Sequence, residues 1–270
     1  MDPRPIGVFD SGVGGLTVFQ ALERALPGES LVYLGDTARV PYGTKSAETV
    51  VRYSLEAAHF MLRQNVKMVV VACNTASSVA IDAVAREAGL PVLGVILPGA
   101  GRAAELSKSG AIGVIGTRAT VGSGAYERAI HERRPEARVI SRPCPLFVPL
   151  AEEGWTDNEI AEQVARTYLA PFREAGVDTL VLGCTHYPLL QDVIGKVMGP
   201  EVRLVDSAES TAAEARRLLE ADRSLAADGG PDRPEHRFFV TDAPEPFQAV
   251  AERFLGRSGL RLERASVEGE

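Results

Sequence analysis

The chain has 270 residues, which is enough for one large domain or two of modest size. Its net charge of −7 argues against a nucleic-acid-binding surface, because contacts to phosphates need clustered lysine and arginine. Three cysteines are too few for a disulfide framework and indicate a reducing compartment. No segment approaches the roughly 20 apolar residues of a membrane span, and the N-terminus lacks the apolar stretch of a signal peptide. We therefore expect a cytoplasmic protein with neither a membrane nor a nucleic acid as partner.

Strand and helix signals alternate along the first part of the chain, which predicts an α/β fold. A strand from Ile6 to Phe9 leads through the turn Gly12-Val-Gly-Gly15 into an amphipathic helix. A second strand covers Leu31 to Leu34, and a second helix runs from about Ala47 to Gln64. The apolar run from Met68 then ends at Cys73, as a buried parallel strand would.

The later part continues this alternation. Thr156-Asp-Asn-Glu159 matches a capping box and predicts the start of a helix that Pro171 should kink or end early. Asp222 to Glu235 is predicted to be a loop, His236 to Thr241 a strand and Pro246 to Leu255 a helix. Residues 264–270 form a charged tail that we expect to be loose.

Matched segments recur in the same order in the two halves of the chain. Ile6-Gly-Val-Phe-Asp-Ser11 corresponds to Ile112-Gly-Val-Ile-Gly-Thr117, and Leu31 to Leu34 to Arg138 to Ser141. Cys73 and Cys184 lie 111 residues apart, as do Leu93 and Leu204. These matches predict a duplicated protein, in which two similar lobes with mainly parallel sheets are related by a pseudo-twofold axis.

The crossing points between these lobes are predicted near Pro98-Gly99 and Ser207. The first lobe then comprises residues 1–97 and 208–270, and the second comprises residues 98–207. Because ligands of open α/β sheets bind at the carboxyl ends of the strands, we expect the active site in the cleft between the lobes.

Cys73 and Cys184 each end an apolar strand and are followed by small polar residues, Asn74-Thr75 and Thr185-His186. A strand-end cysteine is often buried and inert, but the start of a helix lowers the pKa of a thiol. Two such thiols from matched halves suit a chemistry that removes a proton from one face of a carbon and returns it on the other. His186 could share or relay the proton of Cys184. Cys144 has no matched partner and is interpreted as structural.

The glycine-rich turn is open to three interpretations. It resembles a dinucleotide fingerprint, but the third glycine is replaced by Thr17 and no acidic residue follows in clear register, although Asp36 is near. Backbone amides and Ser11 could instead form an anion nest at a helix N-terminus, and a plain tight turn is the third possibility. No metal-binding spacing or phosphate-binding loop is found, so we expect neither a metal nor a cofactor.

Several long motifs resemble those of the glutamate racemases, which belong to the cofactor-independent aspartate/glutamate racemase family. They are Ile6 to Thr17, Tyr33 to Gly43, Val71 to Ser77, Cys144 to Gly154 and Gly183 to Leu189. The resemblance covers about residues 5–210 and implies interconversion of L- and D-glutamate, the latter for peptidoglycan and hence for cell shape. A homodimer is also expected. Some members carry an N-terminal extension linked to activation by a cell-wall precursor, and that regulation is in doubt here because the first strand begins by Ile6.

The resemblance also implies roles for individual residues. Cys73 and Cys184 would be the two acid/base groups, assisted by Asp10, Glu152 and His186. The substrate contacts it implies are Asp10, Ser11, Pro41, Tyr42, Gly43, Asn74, Thr75, Thr117, Thr120, Thr185 and His186.

The sequence is also compatible with other functions. A related two-cysteine isomerase could act on aspartate, a hydantoin or maleate. A dinucleotide- or phosphate-binding module would use Gly12 to Gly15, but it has no need for Cys184-Thr-His186. A redox pair is disfavoured because neither strand-end cysteine lies in a Cys-x-x-Cys motif.

Overall fold

The computed structural model describes residues 2–226 and 234–267. The strands, in chain order, are β1 Ile6–Asp10, β2 Leu31–Gly35, β3 Met68–Val71, β4 Val92–Gly94, β5 Ala111–Gly116, β6 Arg138–Pro143, β7 Thr179–Gly183, β8 Arg203–Asp206, β9 His236–Val240 and β10 Leu262–Arg264. The α-helices are α1 Leu16–Ala25, α2 Ala47–Arg63, α3 Asn74–Val79, α4 Ile81–Ala88, α5 Ile96–Leu106, α6 Arg118–Gly122, α7 Ala125–Arg133, α8 Phe147–Glu152, α9 Glu159–Glu174, α10 Gln191–Met198, α11 Ser207–Ala221 and α12 Pro244–Leu255.

The strands form two parallel sheets. The strand orders are β10-β9-β2-β1-β3-β4 and β6-β5-β7-β8. The order β2-β1-β3-β4 therefore recurs as β6-β5-β7-β8, and the register recurs with it, since Ile6 pairs with Met68 and Ile112 with Thr179. The predicted α/β fold of two similar parallel-sheet lobes is confirmed.

Each sheet is buried on both faces, as parallel sheets require. In the first sheet Val8 faces a core formed with α1, α11 and α12, whereas the next residue, Phe9, faces a core formed with α2 and α4. In the second sheet Val181 faces α5 and α7, and Leu182 faces α8, α9 and α10. This packing holds the strands rigidly and fixes where their carboxyl ends project.

The first sheet is larger than the predicted repeat. β9 adds to β2 and β10 adds to β9, so the first sheet has six strands and the second has four. β10 and the buried Val267 show that the expectation of a loose tail is wrong for residues 264–267. The sequence does not predict this strand, because its residues are mostly charged and it is held by pairing with β9 rather than by local hydrophobicity. Residues 268–270 lie outside the described part of the chain, as do residues 227–233 of the predicted loop.

Helix α9 begins later than the predicted capping box indicates. Asn158, not Thr156, is the N-cap, and its side chain accepts a hydrogen bond from the amide of Ala161. Asn158 takes the N-cap position because its side-chain oxygen reaches the N3 amide. The helix also continues past Pro171 to Glu174, one turn further than a break at the proline predicts.

The chain passes between the two sheets through α5 and α11, which pack against each other. α5 also contacts α7 and β7 of the second lobe, and α11 contacts α1 of the first. The boundaries at residues 97/98 and 207/208 stay a prediction. Within residues 2–226 and 234–267, no helix is both long enough and apolar enough to cross a membrane.

Candidate active site

The carboxyl ends of strands from the two sheets meet where the lobes face each other. Thr17 Oγ1 in α1 donates to the carbonyl oxygen of Thr185 over 3.2 Å, and Thr75 Oγ1 lies 2.9 Å from Thr117 Oγ1. Cys73 and Cys184, the cysteines of the matched motifs, both lie at this interface, where they are 4% and 6% exposed.

Cys73 is the N-cap of α3. Its Sγ accepts a hydrogen bond from the amide of Ala76 at 3.4 Å and donates one to Ser11 Oγ at 3.5 Å. Burial, and after it the charge of Asp10, raises the pKa of Cys73, while the hydrogen bonds to Ser11 and Ala76 lower it, and the net value is about 12. At neutral pH this cysteine is therefore a thiol.

Cys184 follows β7 and has a different set of neighbours. His186 Nδ1 lies 3.7 Å from Cys184 Sγ, and His186 Nε2 lies 2.9 Å from Glu152 Oε1. Burial lowers the pKa of His186, but its hydrogen bonds to Cys184 and Glu152 raise it more, to a net value of about 10. A protonated imidazole next to Sγ stabilises negative charge on that sulfur. The chain Cys184–His186–Glu152 thus places a protonated imidazole beside Cys184 Sγ.

Asp10 lies at the end of β1, beneath the glycine-rich turn. Its Oδ2 accepts a hydrogen bond from the amide of Gly12 at 3.0 Å, whereas its buried Oδ1 has no hydrogen-bond partner among the described residues. Burial raises the pKa of Asp10. The turn must be glycine-rich because a Cβ on Gly14 would lie 2.5 Å from Thr185 Oγ1, and one on Gly15 would lie 2.4 Å from Asp10 Cβ.

Polar side chains of α3 and α6 form a cluster across the interface. The hydroxyls of Thr75, Thr117 and Thr120 lie 2.9 to 3.2 Å from one another. Asn74 accepts a hydrogen bond from the hydroxyl of Tyr126 at 2.7 Å, and its own Nδ2 is buried without a partner in the described chain. Donors for an anionic group therefore come from both lobes.

The segment Pro41 to Gly43 contributes mainly backbone to this region. The Tyr42 hydroxyl donates to Asp36, so its hydrogen is already engaged. Gly43 approaches the second lobe so closely that a Cβ there would lie 2.7 Å from Thr117 Cβ. Pro41 is exposed.

Three further residues of the site region were not predicted from the sequence. Tyr126 of α7 holds Asn74, the ring of Phe254 in α12 packs edge-on against His186 at 5.3 Å, and Arg253 donates to the backbone oxygen of Glu152. They come from distant helices, and no local motif marks them.

A cavity of about 770 Å³ between α5 and α11 is lined by none of the predicted site residues.

Comparison with known proteins identifies the family. The profile of the Asp/Glu/hydantoin racemases matches residues 6–215. A glutamate racemase from Geobacter metallireducens is 55% identical over 267 residues, which are 99% of this chain and 98% of the relative. The structure of a glutamate racemase from Francisella tularensis in complex with D-glutamate has a TM-score of 0.92 at 41% identity and covers 99% of both chains. One from Thermus thermophilus in complex with β-chloro-D-alanine has a TM-score of 0.88 at 49% identity and 98% coverage of both. The chain belongs to the Asp/Glu/hydantoin racemase family.

Proposed function

We propose that this protein interconverts L- and D-glutamate with two cysteines and no cofactor, and that it supplies D-glutamate for peptidoglycan synthesis in the cytoplasm. The observation that carries the proposal is the pair Cys73 and Cys184, buried at equivalent strand ends of two matched lobes. Burial is the largest cause of the raised pKa of Cys73, and the charge of Cys184 also contributes, which supports a site shared by the two sulfurs. The choice of glutamate rests on the 55% identical relative with that activity.

In the direction from L- to D-glutamate, the Cys184 thiolate removes the α-proton and becomes a thiol. The electron pair left on the α-carbon is delocalised into the α-carboxylate. Cys73 then donates its proton to the opposite face and becomes a thiolate, so one proton is taken up and one is delivered. The reverse direction exchanges the two roles. By resemblance to the family, Cys73 serves the D-enantiomer and Cys184 the L-enantiomer.

The two sulfurs need opposite protonation states at the same time, and their surroundings differ in the required sense. Burial and Asp10 raise the pKa of Cys73 and keep it protonated. His186, held by Glu152, places a positive charge next to Cys184. These surroundings suit Cys73 to donate a proton and Cys184 to accept one in the reaction from L-glutamate.

The donors around the cysteines would hold the α-carboxylate as negative charge builds on it. Asn74 Nδ2 is an unused donor in the described chain, and the hydroxyls of Thr75, Thr117 and Thr120 can turn from one another toward a carboxylate. Preorganised donors of this kind lower the barrier because they need no reorganisation when charge develops. Asp10 Oδ1, which has no hydrogen-bond partner among residues 2–226 and 234–267, would accept from the substrate ammonium group. Ser11, Thr185 and the Pro41–Gly43 backbone complete the predicted contacts.

Circular dichroism of purified protein mixed with L-glutamate, and separately with D-glutamate, tests this proposal. Both solutions should converge to zero optical signal with no cofactor added, and the rate should survive dialysis against a chelator. A kcat/KM for aspartate comparable with that for glutamate would instead assign a broader amino-acid racemase. Activity that is lost on dialysis and restored by a metal would contradict the mechanism.

The homodimer expected from the sequence remains part of the proposal. Light scattering coupled to size-exclusion chromatography tests it by giving the mass in solution, to be compared with twice the 28.8 kDa of the chain.

A further inference from the structure

A hydrogen bond between the lobes fixes the orientation of one amide in the site. Tyr126 is a residue of α7 in the second lobe and is 2% exposed, while Asn74 begins α3 in the first lobe and is also 2% exposed. The Tyr126 hydroxyl donates to Asn74 Oδ1 at 2.7 Å. This bond makes Oδ1 the atom that faces Tyr126. The other atom of the amide, Nδ2, carries two donor hydrogens and has no partner in the described chain.

The direction of this bond matters, because an asparagine amide can rotate by half a turn and exchange its donor for its acceptor. Asn74 directly follows Cys73, so the rotated amide would present an oxygen to a bound carboxylate. Burial is the main cause that raises the pKa of Tyr126, so the phenol keeps its hydrogen and donates it to Asn74 Oδ1.

Tyr126 also lies where the chain crosses between the lobes. A Cβ on Gly99 of α5 would lie 3.4 Å from the Tyr126 hydroxyl oxygen and 3.1 Å from Cβ of Ser207, the first residue of α11. A Cβ on Gly183, one residue before Cys184, would lie 3.0 Å from the Tyr126 ring. The ring is thus fixed by both crossing helices and by the strand that carries the second cysteine.

We propose that Tyr126 is a positioning residue that orients the Asn74 amide toward the substrate carboxylate when the two lobes are together. This inference rests on the proposed function, since it concerns the same site. Tyr126 does not touch the substrate and acts only through Asn74. Removing its hydroxyl frees the amide to rotate and weakens one contact between the lobes.

A double-mutant cycle tests this role with four enzymes, namely the wild type, Tyr126→Phe, Asn74→Ala and the double variant. Tyr126→Phe keeps the ring and should lower kcat/KM for glutamate about tenfold, the size expected for one oriented hydrogen bond, with a several-fold rise in KM. In the Asn74→Ala background the same change should alter kcat/KM less than twofold, because the amide is already gone. Rates too slow for circular dichroism are followed by exchange of the α-proton in D₂O.

The control is Tyr168→Phe in α9, which removes a partly buried hydroxyl that accepts from the Leu146 amide at 3.3 Å. It should leave both kinetic parameters within twofold of wild type. Folded fractions measured by thermal unfolding normalise all rates. Two results would overturn the inference while the wild type racemises glutamate: no loss in Tyr126→Phe, or an equal loss with and without Asn74. A wild type that does not racemise glutamate would refute the proposed function itself.

Discussion

The surroundings of the two sulfurs differ, although the strands that present them are equivalent. Cys73 bonds to Ser11 and a helix amide, whereas Cys184 neighbours a histidine that a carboxylate holds. Glu152→Gln keeps a hydrogen bond to His186 but removes the charge. We expect kcat/KM to fall about tenfold, because the imidazolium loses a partner worth roughly one charged hydrogen bond. Glu153→Gln, next to it in the sequence and exposed, should have no effect in the same circular-dichroism assay.

The pH dependence at this scale follows from His186. Its pKa is raised to about 10, so it is protonated at lower pH and loses its charge as the pH rises through that value. We expect a bell-shaped profile of kcat/KM whose alkaline limb falls near pH 10, before the Cys73 thiol titrates near 12. The two limbs belong to the coupled groups and not to one cysteine.

Profiles of the wild type and of His186→Gln between pH 6 and 11 check this expectation. The alkaline limb should shift in His186→Gln. It should stay in place in the control His59→Gln, whose side chain lies on α2 and pairs with Glu87. A flat wild-type profile over that range would exclude thiol acid/base chemistry.

At the scale of elements, the glycine-rich turn lies so close to the second lobe that Gly14 has no room for a side chain. Gly14→Ala would place a Cβ 2.5 Å from Thr185 Oγ1 and 2.6 Å from the His186 ring, so the lobes or the imidazole must move. We expect a loss of activity of about a hundredfold, since misplacement by about 1 Å costs that much. Gly101→Ala in α5 meets no atom within 4 Å and should keep full activity and gain up to about 1 kcal/mol of stability. Kinetics and urea unfolding of both variants would decide, and an active Gly14→Ala would contradict the described packing.

Much of this arrangement was predictable from local sequence, and the reasons are physical. β-branched runs ending in Cys73 and Cys184 indicated buried parallel strands, and the sheet order follows the predicted repeat. β10 was missed because Leu262–Arg264 is charged and gains its place only from pairing with β9. Tyr126, Arg253 and Phe254 were missed because a helix pattern shows which face is buried, but not which distant side chain it will meet.

At the scale of the whole molecule, burial of thiols makes stability depend on pH in the alkaline range. Burial raises the pKa values of Cys73 and Cys144 from 9.0 to about 12. Above pH 9 the unfolded chain releases these protons while the folded protein retains them. The stabilisation is therefore complete below pH 9 and is lost as the pH rises toward 12, by about 1.4 kcal/mol per pH unit for each thiol.

Urea unfolding of the wild type and of Cys144→Ala at several pH values above 9 measures this loss. The variant should be less stable near pH 7, because it loses buried contacts, but its stability should fall less steeply with pH. Equal slopes would mean that Cys144 is not desolvated as described. The same variant should racemise glutamate at a near-normal rate, because Cys144 lies outside the proposed pair of acid/base groups.

Cys73 and Cys184 are proposed to serve opposite faces of one carbon. The most direct test uses glutamate analogues of both configurations with a leaving group on the carbon next to the α-carbon. Removal of the α-proton alone then expels the leaving group, so each base can be measured by itself. Neither Cys73→Ala nor Cys184→Ala should racemise glutamate, but Cys73→Ala should eliminate only from the L-analogue and Cys184→Ala only from the D-analogue. Elimination from the same enantiomer by both variants would contradict the account.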